Sequence, residues 1–259
     1  MKITHIYHDG FLAEMEHSVL VFDWYTGELP EFAPDKTIYV FVSHQHRDHF
    51  GNCIFRLAEK YADVVYVLSC DIPSGLIPAA VRKCMIPVLA DRHYSVRQAE
   101  IDTLLSTDLG VAFYIEIEGH TVYHAGDLNL WYWEGEPAKD NDWQVRIYHQ
   151  EIDRLAEIIA ERKRKHSPEG SIADLPAVSA EIAFLPLDSR LESHGADGFV
   201  YFMEKIGAEN VFPMHYWDNV AASRAYLAEK RMLLFVPLIH YEDETVLQEP
   251  ERGGRKNET

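Results

Sequence analysis

The stretch Thr37-Ile-Tyr-Val-Phe-Val-Ser-His44-Gln-His46-Arg-Asp48-His49 joins an uncharged run to four side chains able to bind a metal ion. Thr37–Ser43 is β-branched and aromatic almost throughout, the pattern of a strand buried on both faces. A strand sends alternate side chains to one side, so His44 and His46 can point the same way where it ends. The following turn lets Asp48 and His49 swing to a second position nearby. Imidazole nitrogens and carboxylate oxygens suit zinc and other first-row divalent ions. The apolar strand before them and a helix after them hold the loop in place. That helix is expected from Ile54, Leu57, Ala58 and Tyr61, spaced i, i+3, i+4, i+7.

Upstream, Ile3–Tyr7, Phe11–Glu14 and Ser18–Asp23 read as short strands, the first two separated by Asp9-Gly10. Downstream, Val64–Leu68, Met85–Leu89, His93–Arg97, Ile101–Ser106, Val111–Glu118 and Thr121–His124 read as strands, with Pro73, Pro78 and Pro87 cutting the region between them. The hairpin Phe11–Asp23 echoes Phe113–Asp127, each ending its second strand in an aspartate, which suggests two similar halves packed together. The second half is helical around Ile152, Leu155, Ala156 and Ile159, around Phe199, Phe202, Met203 and Ile206, and over Asn219–Glu229. Ile182–Leu187 and Asn210–Met214 are strands. Arg162 to Ala177 reads as a solvated, charged excursion. Nothing resembles an interdomain linker, so residues 1–245 are expected to form a single domain and 246–259 a polar tail.

Two further candidates stand at strand ends. Asp127 follows Tyr-His-Ala-Gly126, where glycine permits a sharp turn, and His215 follows Val-Phe-Pro-Met214. In the company of the His44–His49 cluster, both read as metal ligands. The aromatic segment Trp131–Trp143 follows Asp127 and can either wall a pocket or anchor a loop.

Composition narrows the function. The chain has 259 residues, with 24 Lys+Arg against 42 Asp+Glu and a formal net charge of -18. Such a surface repels phosphate backbones, so a nucleic-acid partner is disfavoured and a small-molecule substrate favoured. No apolar run is long enough to span a bilayer and the first residues carry no signal-peptide pattern, so a cytoplasmic location without membrane association is expected. The three cysteines lack metal-site or disulfide spacing. Nothing specifies an oligomeric state.

The segments Ser43–His49, Gly126-Asp127 and Pro213-Met214-His215 together resemble the metallo-β-lactamase superfamily. Tyr123-His-Ala-Gly-Asp127 and Phe212-Pro-Met-His-Tyr216 are most similar to the branch containing ascorbate-6-phosphate lactonase and ribonuclease Z. The resemblance runs from about residue 2 to about residue 241. It implies an α/β fold, a four-layer αββα sandwich with the site at one edge of its two sheets. It implies two divalent metal ions, zinc in first place with manganese or iron as alternatives. The first would take His44 and His46, the second Asp48, His49 and His215, and Asp127 would bridge them. Asp23 would support the histidine loop from behind. The chain departs from the superfamily pattern where a third histidine usually serves the first metal. The corresponding stretch, Leu105 to Val111, has none. Asp108 is the replacement of choice, ahead of His93 and His120, and its oxygen ligation would favour harder ions such as manganese.

The activity implied is metal-dependent hydrolysis, in which a metal-activated hydroxide attacks a small ester, lactone or phosphoester. Asp48 would orient the hydroxide. His194, Tyr216 and His8 are candidate proton donors. Arg190 is a candidate anchor for an anionic group, or else a salt-bridge partner of Asp188 or Glu192. His124 would pack beside the site. The alternatives are a nuclease of the same fold and a catalytically degenerate, metal-poor binding protein. An oxidative diiron enzyme is set aside, because such enzymes usually carry an acid where His46 stands.

Overall fold

The computed structural model of the chain describes residues 1–166, 180–217, 219–229 and 238–247. Its strands are β1 (Lys2–Tyr7), β2 (Gly10–Glu14), β3 (Ser18–Phe22), β4 (Thr37–Val42), β5 (Val64–Ser69), β6 (Met85–Val88), β7 (His93–Val96), β8 (Ala99–Leu105), β9 (Val111–Ile117), β10 (His120–His124), β11 (Ala180–Pro186), β12 (Ala208–Met214), β13 (Leu238–Ile239) and β14 (Glu244–Val246). The α-helices are α1 (Leu57–Lys60), α2 (Ala138–His166), α3 (Asp197–Lys205) and α4 (Val220–Glu229). The helix expected around Ile54–Tyr61 is split into a 3-10 turn, Asn52–Arg56, and α1.

The strands form two seven-stranded sheets, ordered β14-β1-β2-β3-β4-β5-β6 and β7-β8-β9-β10-β11-β12-β13. Read in that direction, each sheet has three antiparallel pairings followed by three parallel ones. The echoed hairpins, β2–β3 and β9–β10, hold the same place in the two sheets, so the short sequence echo marks a real duplication of topology.

Period-two patterning explains the layers. Leu20, Phe22, Tyr39 and Phe41 enter the core shared by both sheets, while Val19, Val21, Ile38, Val40 and Val42 turn to an outer core with Ile54, Phe55 and Leu57. The sheets meet through aromatic contacts such as Phe41 against Phe113 and Phe11 against Phe184, with ring centroids 5.2 and 4.4 Å apart. On the far side of the second sheet, Tyr123 stacks on Phe202 of α3, and the Tyr148 hydroxyl of α2 donates to the Gly198 carbonyl at 2.6 Å. Helical segments therefore flank two face-to-face sheets, the αββα order expected.

Two expectations need correction. Arg162 is not solvated: α2 continues past it, and its guanidinium pairs with Asp102 and Glu116 of the second sheet. The rest of that excursion, residues 167–177, lies outside the described residues. The tail begins later than 246, because Val246 pairs with Lys2 and so covers the edge of β1; residues 248–259 lie outside the described residues. No described helix is long and apolar enough to cross a membrane.

Candidate metal centre

Parallel strands β3, β4, β10, β11 and β12 end at one edge of the sandwich, and the loops that leave them carry Asp23, His44–His49, Asp127, Asp188 and His215. Two glycines let these loops approach. Gly110 and Gly126 both have positive φ, and a Cβ would lie 2.0 Å from the Ser43 carbonyl at the first and 2.6 Å from the Ser43 Cβ at the second. Ser43 is thereby pinned against the second sheet.

Three imidazoles are held in one manner. The Asp23 carboxylate accepts from the Ser43 N–H at 2.7 Å and the Ser43 hydroxyl at 2.6 Å, and His49 Nδ1 donates to it at 2.8 Å. With the serine proton committed to Asp23, His44 Nδ1 donates to Ser43 Oγ at 3.0 Å. His215 Nδ1 donates to Asp188 at 3.0 Å. Each ring is fixed through Nδ1, which leaves Nε2 for a ligand role, as at histidine metal sites.

These Nε2 atoms converge on carboxylates, and His44 Nε2 also accepts from His46 Nδ1 at 3.0 Å. Asp127 Oδ1 lies 3.2 Å from His49 Nε2 and 3.5 Å from His215 Nε2, while its Oδ2 lies 3.5 Å from His44 Nε2. Asp108 Oδ2 is 3.3 Å from His46 Nδ1, and Asp9 Oδ2 is 3.2 Å from His49 Nε2. The donors group into two sets, His44/His46/Asp108/Asp127 and His8/Asp9/His49/His215, each with ligand atoms within 4.8 Å of one another. The aspartates that close the two echoed hairpins thus grip opposite nitrogens of one ring, His49.

The electrostatics fit a cation. Burial holds His44 down to about 4. Burial also opposes charge on His215, yet Asp9, Asp188 and Asp127 pull it up to about 9. His49 is likewise raised against its own burial by Asp127, Asp23 and Asp9. Burial and the neighbouring Asp127 raise Asp108. His8 Nε2, both Asp9 oxygens, His49 Nε2 and Asp127 Oδ1 are buried without any hydrogen-bond partner. Five such atoms aimed at one place carry a desolvation cost that a divalent ion would offset.

The structure sorts the sequence candidates. It brings together His44, His46, His49, Asp127 and His215, and Asp108 stands where a third histidine was missing. Asp48 is outside both donor sets: its carboxylate lies 3.6 Å from His8 Nε2 and lines the open cleft. Asp9, not Asp48, meets His49 and His215. His194 is tied to Asp197 at 2.7 Å and packs on Tyr132, and it does not line the cleft. Arg190 does line it, and is hydrogen-bonded through Nε and Nη2 to Asp188, the salt-bridge partner expected. His93 and His120 are elsewhere, paired with Asp102 and Glu181. His124 accepts from the Gly126 N–H at 3.1 Å and donates to the Asp9 carbonyl at 2.9 Å, so it braces both metal-facing turns.

His8 and Asp9 are the residues sequence reading missed as a pair. They form the two-residue turn between β1 and β2, since Tyr7 pairs with Gly10. Hairpin turns normally face solvent. This one points between the sheets, leaving His8 7% and Asp9 0% exposed. A charged pair at a turn beside glycine was the available signal, but that pattern is ordinary at exposed turns.

Comparison with solved structures identifies the architecture. Igni18, described as a novel metallo hydrolase from Ignicoccus hospitalis, superposes with TM-score 0.58 at 15% identity, covering 95% of this chain and 99% of that one. YhfI of Bacillus subtilis, described as a metallo-beta-lactamase fold protein, gives 0.54 at 14% identity, covering 92% and 95%. This is a metallo-β-lactamase fold. The same fold also carries CmlA of Streptomyces venezuelae, a diiron beta-hydroxylase, with TM-score 0.56 at 11% identity over 96% of this chain and 54% of that one. The metallo-β-lactamase fold by itself therefore does not select a chemistry. By sequence, the chain is similar to the UPF0173 metal-dependent hydrolases of Opitutus terrae, 29% identical over 154 residues, and Desulforamulus reducens, 29% identical over 146 residues. These alignments take in 50% of this chain, and 64% and 63% of those relatives, so just under two thirds of their length is spanned. No protein-family model matches the chain.

Proposed function

We propose that the chain is a metal-dependent hydrolase that works with two divalent cations and acts on a small ester, lactone or phosphoester. His44, His46, Asp108 and Asp127 would hold one cation, and His8, Asp9, His49 and His215 the other. The observation that carries the reading is the division of the Asp127 carboxylate, whose two oxygens face the two donor sets separately. Five imidazoles favour zinc, and three carboxylates make manganese or iron the alternatives. The names of the sequence relatives, metal-dependent hydrolases, agree with it.

Bound cations of this kind supply Lewis acidity and lower the pKa of water toward neutrality. The protein's own residues do the rest. Asp48 has 32% of its side chain exposed in the cleft, and the His8 imidazole 3.6 Å away holds its carboxyl well below the usual carboxylate range. An ionised, fixed carboxylate there can accept a hydrogen bond from the attacking water and aim it. Trp131 donates its indole N–H to the Asp127 carbonyl at 2.9 Å and packs edge-on to His215, so it seals one side of the centre from bulk water. The nuclease alternative finds no basic track among the described residues: of those lining the cleft, only Arg190 is a lysine or arginine.

The test is metal analysis of purified protein, followed by turnover on panels of lactones, carboxylic esters and phosphoesters before and after chelation. The reading expects two metal equivalents and hydrolysis of one panel that chelation removes and metal restores. Fewer than two equivalents at saturating metal, or hydrolysis indifferent to chelation, would sink it.

A further inference from the structure

The cleft over the metal centre, about 320 Å³, has an asymmetric wall. Among its described lining residues the one lysine or arginine is Arg190, in the 3-10 turn after β11. Asp188, fully buried, accepts from the Arg190 backbone N–H at 2.8 Å and from its Nε at 3.0 and 2.9 Å, and also binds Nη2. The guanidinium lies over Trp217 at 4.8 Å and near Trp133 at 5.8 Å. Its Nη1 makes no hydrogen bond with the described residues, and 49% of the side chain is exposed. A guanidinium stacked on one indole, flanked by a second and locked along one edge by a buried carboxylate is a preorganised donor with its other edge open.

A second cleft, also about 320 Å³, adjoins the first and shares Trp131, Trp133 and Gln144 with it, then continues along Trp143 and Asn141, with Glu136 and Asp140 also lining it. Trp131 and Trp133 lie nearly parallel, 10° apart in plane. Trp131 is buried behind Trp133, so the indole surface open at the junction is that of Trp133 and Trp143, which favours a flat apolar group bound by area and stacking. Trp143 is 44% exposed, an unusual place for a large apolar side chain unless something covers it.

We propose that the substrate is a monoanion carrying a flat, apolar body: a carboxylate meets the open edge of Arg190 while the body lies along Trp133 and Trp143 in the second cleft. This rests on the hydrolase reading above and names its substrate class. With Nε and Nη2 already paired to Asp188, the edge of Arg190 left open suits one small carboxylate, whereas a doubly charged phosphate monoester held there would bring its second charge toward Asp48, which lines the same cleft outside both donor sets.

The experiment is calorimetric titration of the metal-loaded protein with 2-naphthoate, its neutral isostere 2-naphthamide, and 2-naphthyl phosphate. Wild type is expected to bind naphthoate at least tenfold more tightly than naphthamide, and more tightly than the phosphate. Arg190→Gln should abolish the naphthoate preference and leave naphthamide within twofold. Trp133→Ala should weaken both together. A preference that survives Arg190→Gln would show the anion bound elsewhere, such as on the metals, and would overturn the proposal. So would a wild-type preference below twofold, or tighter binding of the phosphate; neither measurement needs a variant that folds. Metal content and turnover are measured on the same preparations. A wild-type preference below twofold with two metals and hydrolysis intact defeats this inference alone, whereas a wild-type preference without metal-dependent hydrolysis supports it and defeats only the hydrolase reading.

Discussion

Replacing Asp9 by asparagine tests the assignment on which the second cation depends. Asp9 has no exposed surface, both its oxygens lack hydrogen-bond partners, and Oδ2 is 3.2 Å from His49 Nε2. The asparagine keeps the shape and removes the charge. Mutating residues that merely orient a ligand costs about 10–100-fold in metal affinity, so losing a ligand oxygen should cost at least the upper end of that range. A hundredfold weakening is worth about 2.7 kcal/mol of metal-linked stabilisation at fixed free metal. In a chain of this size each kcal/mol moves the melting temperature by roughly 2–4 °C, so the metal-induced rise should shrink by about 5–10 °C. The assay pairs thermal melts, with and without zinc or manganese, with metal stoichiometry after dialysis. Asp9→Asn should retain one equivalent and Asp48→Asn two, because Asp48 sits outside both donor sets. If Asp48→Asn instead loses an equivalent and Asp9→Asn keeps both along with the full thermal shift, the assignment is wrong.

Three other outcomes follow from the same geometry. Asp23→Asn cannot accept all three hydrogen bonds now made by Ser43 and His49; it should cost about 3 kcal/mol in denaturant unfolding and weaken metal binding about 10–100-fold by calorimetry. Gly110→Ala puts a Cβ 2.0 Å from the Ser43 carbonyl at a backbone φ of +69°; it should lose more than about 2 kcal/mol by the same unfolding assay and reduce metal content, since Ser43 carries His44. His120 has its pKa raised, first by its hydrogen bond to Glu181 and against partial burial. Its contribution is therefore complete below about pH 6.5, the unfolded value, and fades as pH rises through the higher folded value. Melts of wild type and His120→Gln should converge above that window, and parallel curves from pH 5 to 9 would refute it.

The sequence by itself determined most of the strands and most of the side chains that meet at the candidate centre. Continuous apolar runs such as Val19–Phe22 and Ile38–Val42 state that both faces of a strand are buried, and the structure decides which face enters which core. His44, His46 and His49 were legible because they are crowded into six positions at a strand end, and Asp127 and His215 because each closes a strand beside them. The duplicated hairpin was legible for a similar reason: its parts are contiguous. Only the tertiary structure decided between Asp48 and Asp9. Asp48 is adjacent to His49 in the chain, but the turn sends its carboxylate toward the cleft and His8. Asp9 is forty residues from His49, and only the packing of the two sheets and the His124 bridge to its carbonyl fold that turn inward. The same holds for the cleft wall, where Arg190, Trp133 and Trp217 come from three separate loops. Local periodicity is written in neighbouring residues, whereas the destination of a turn depends on which distant loops it meets, and that is fixed by the whole core.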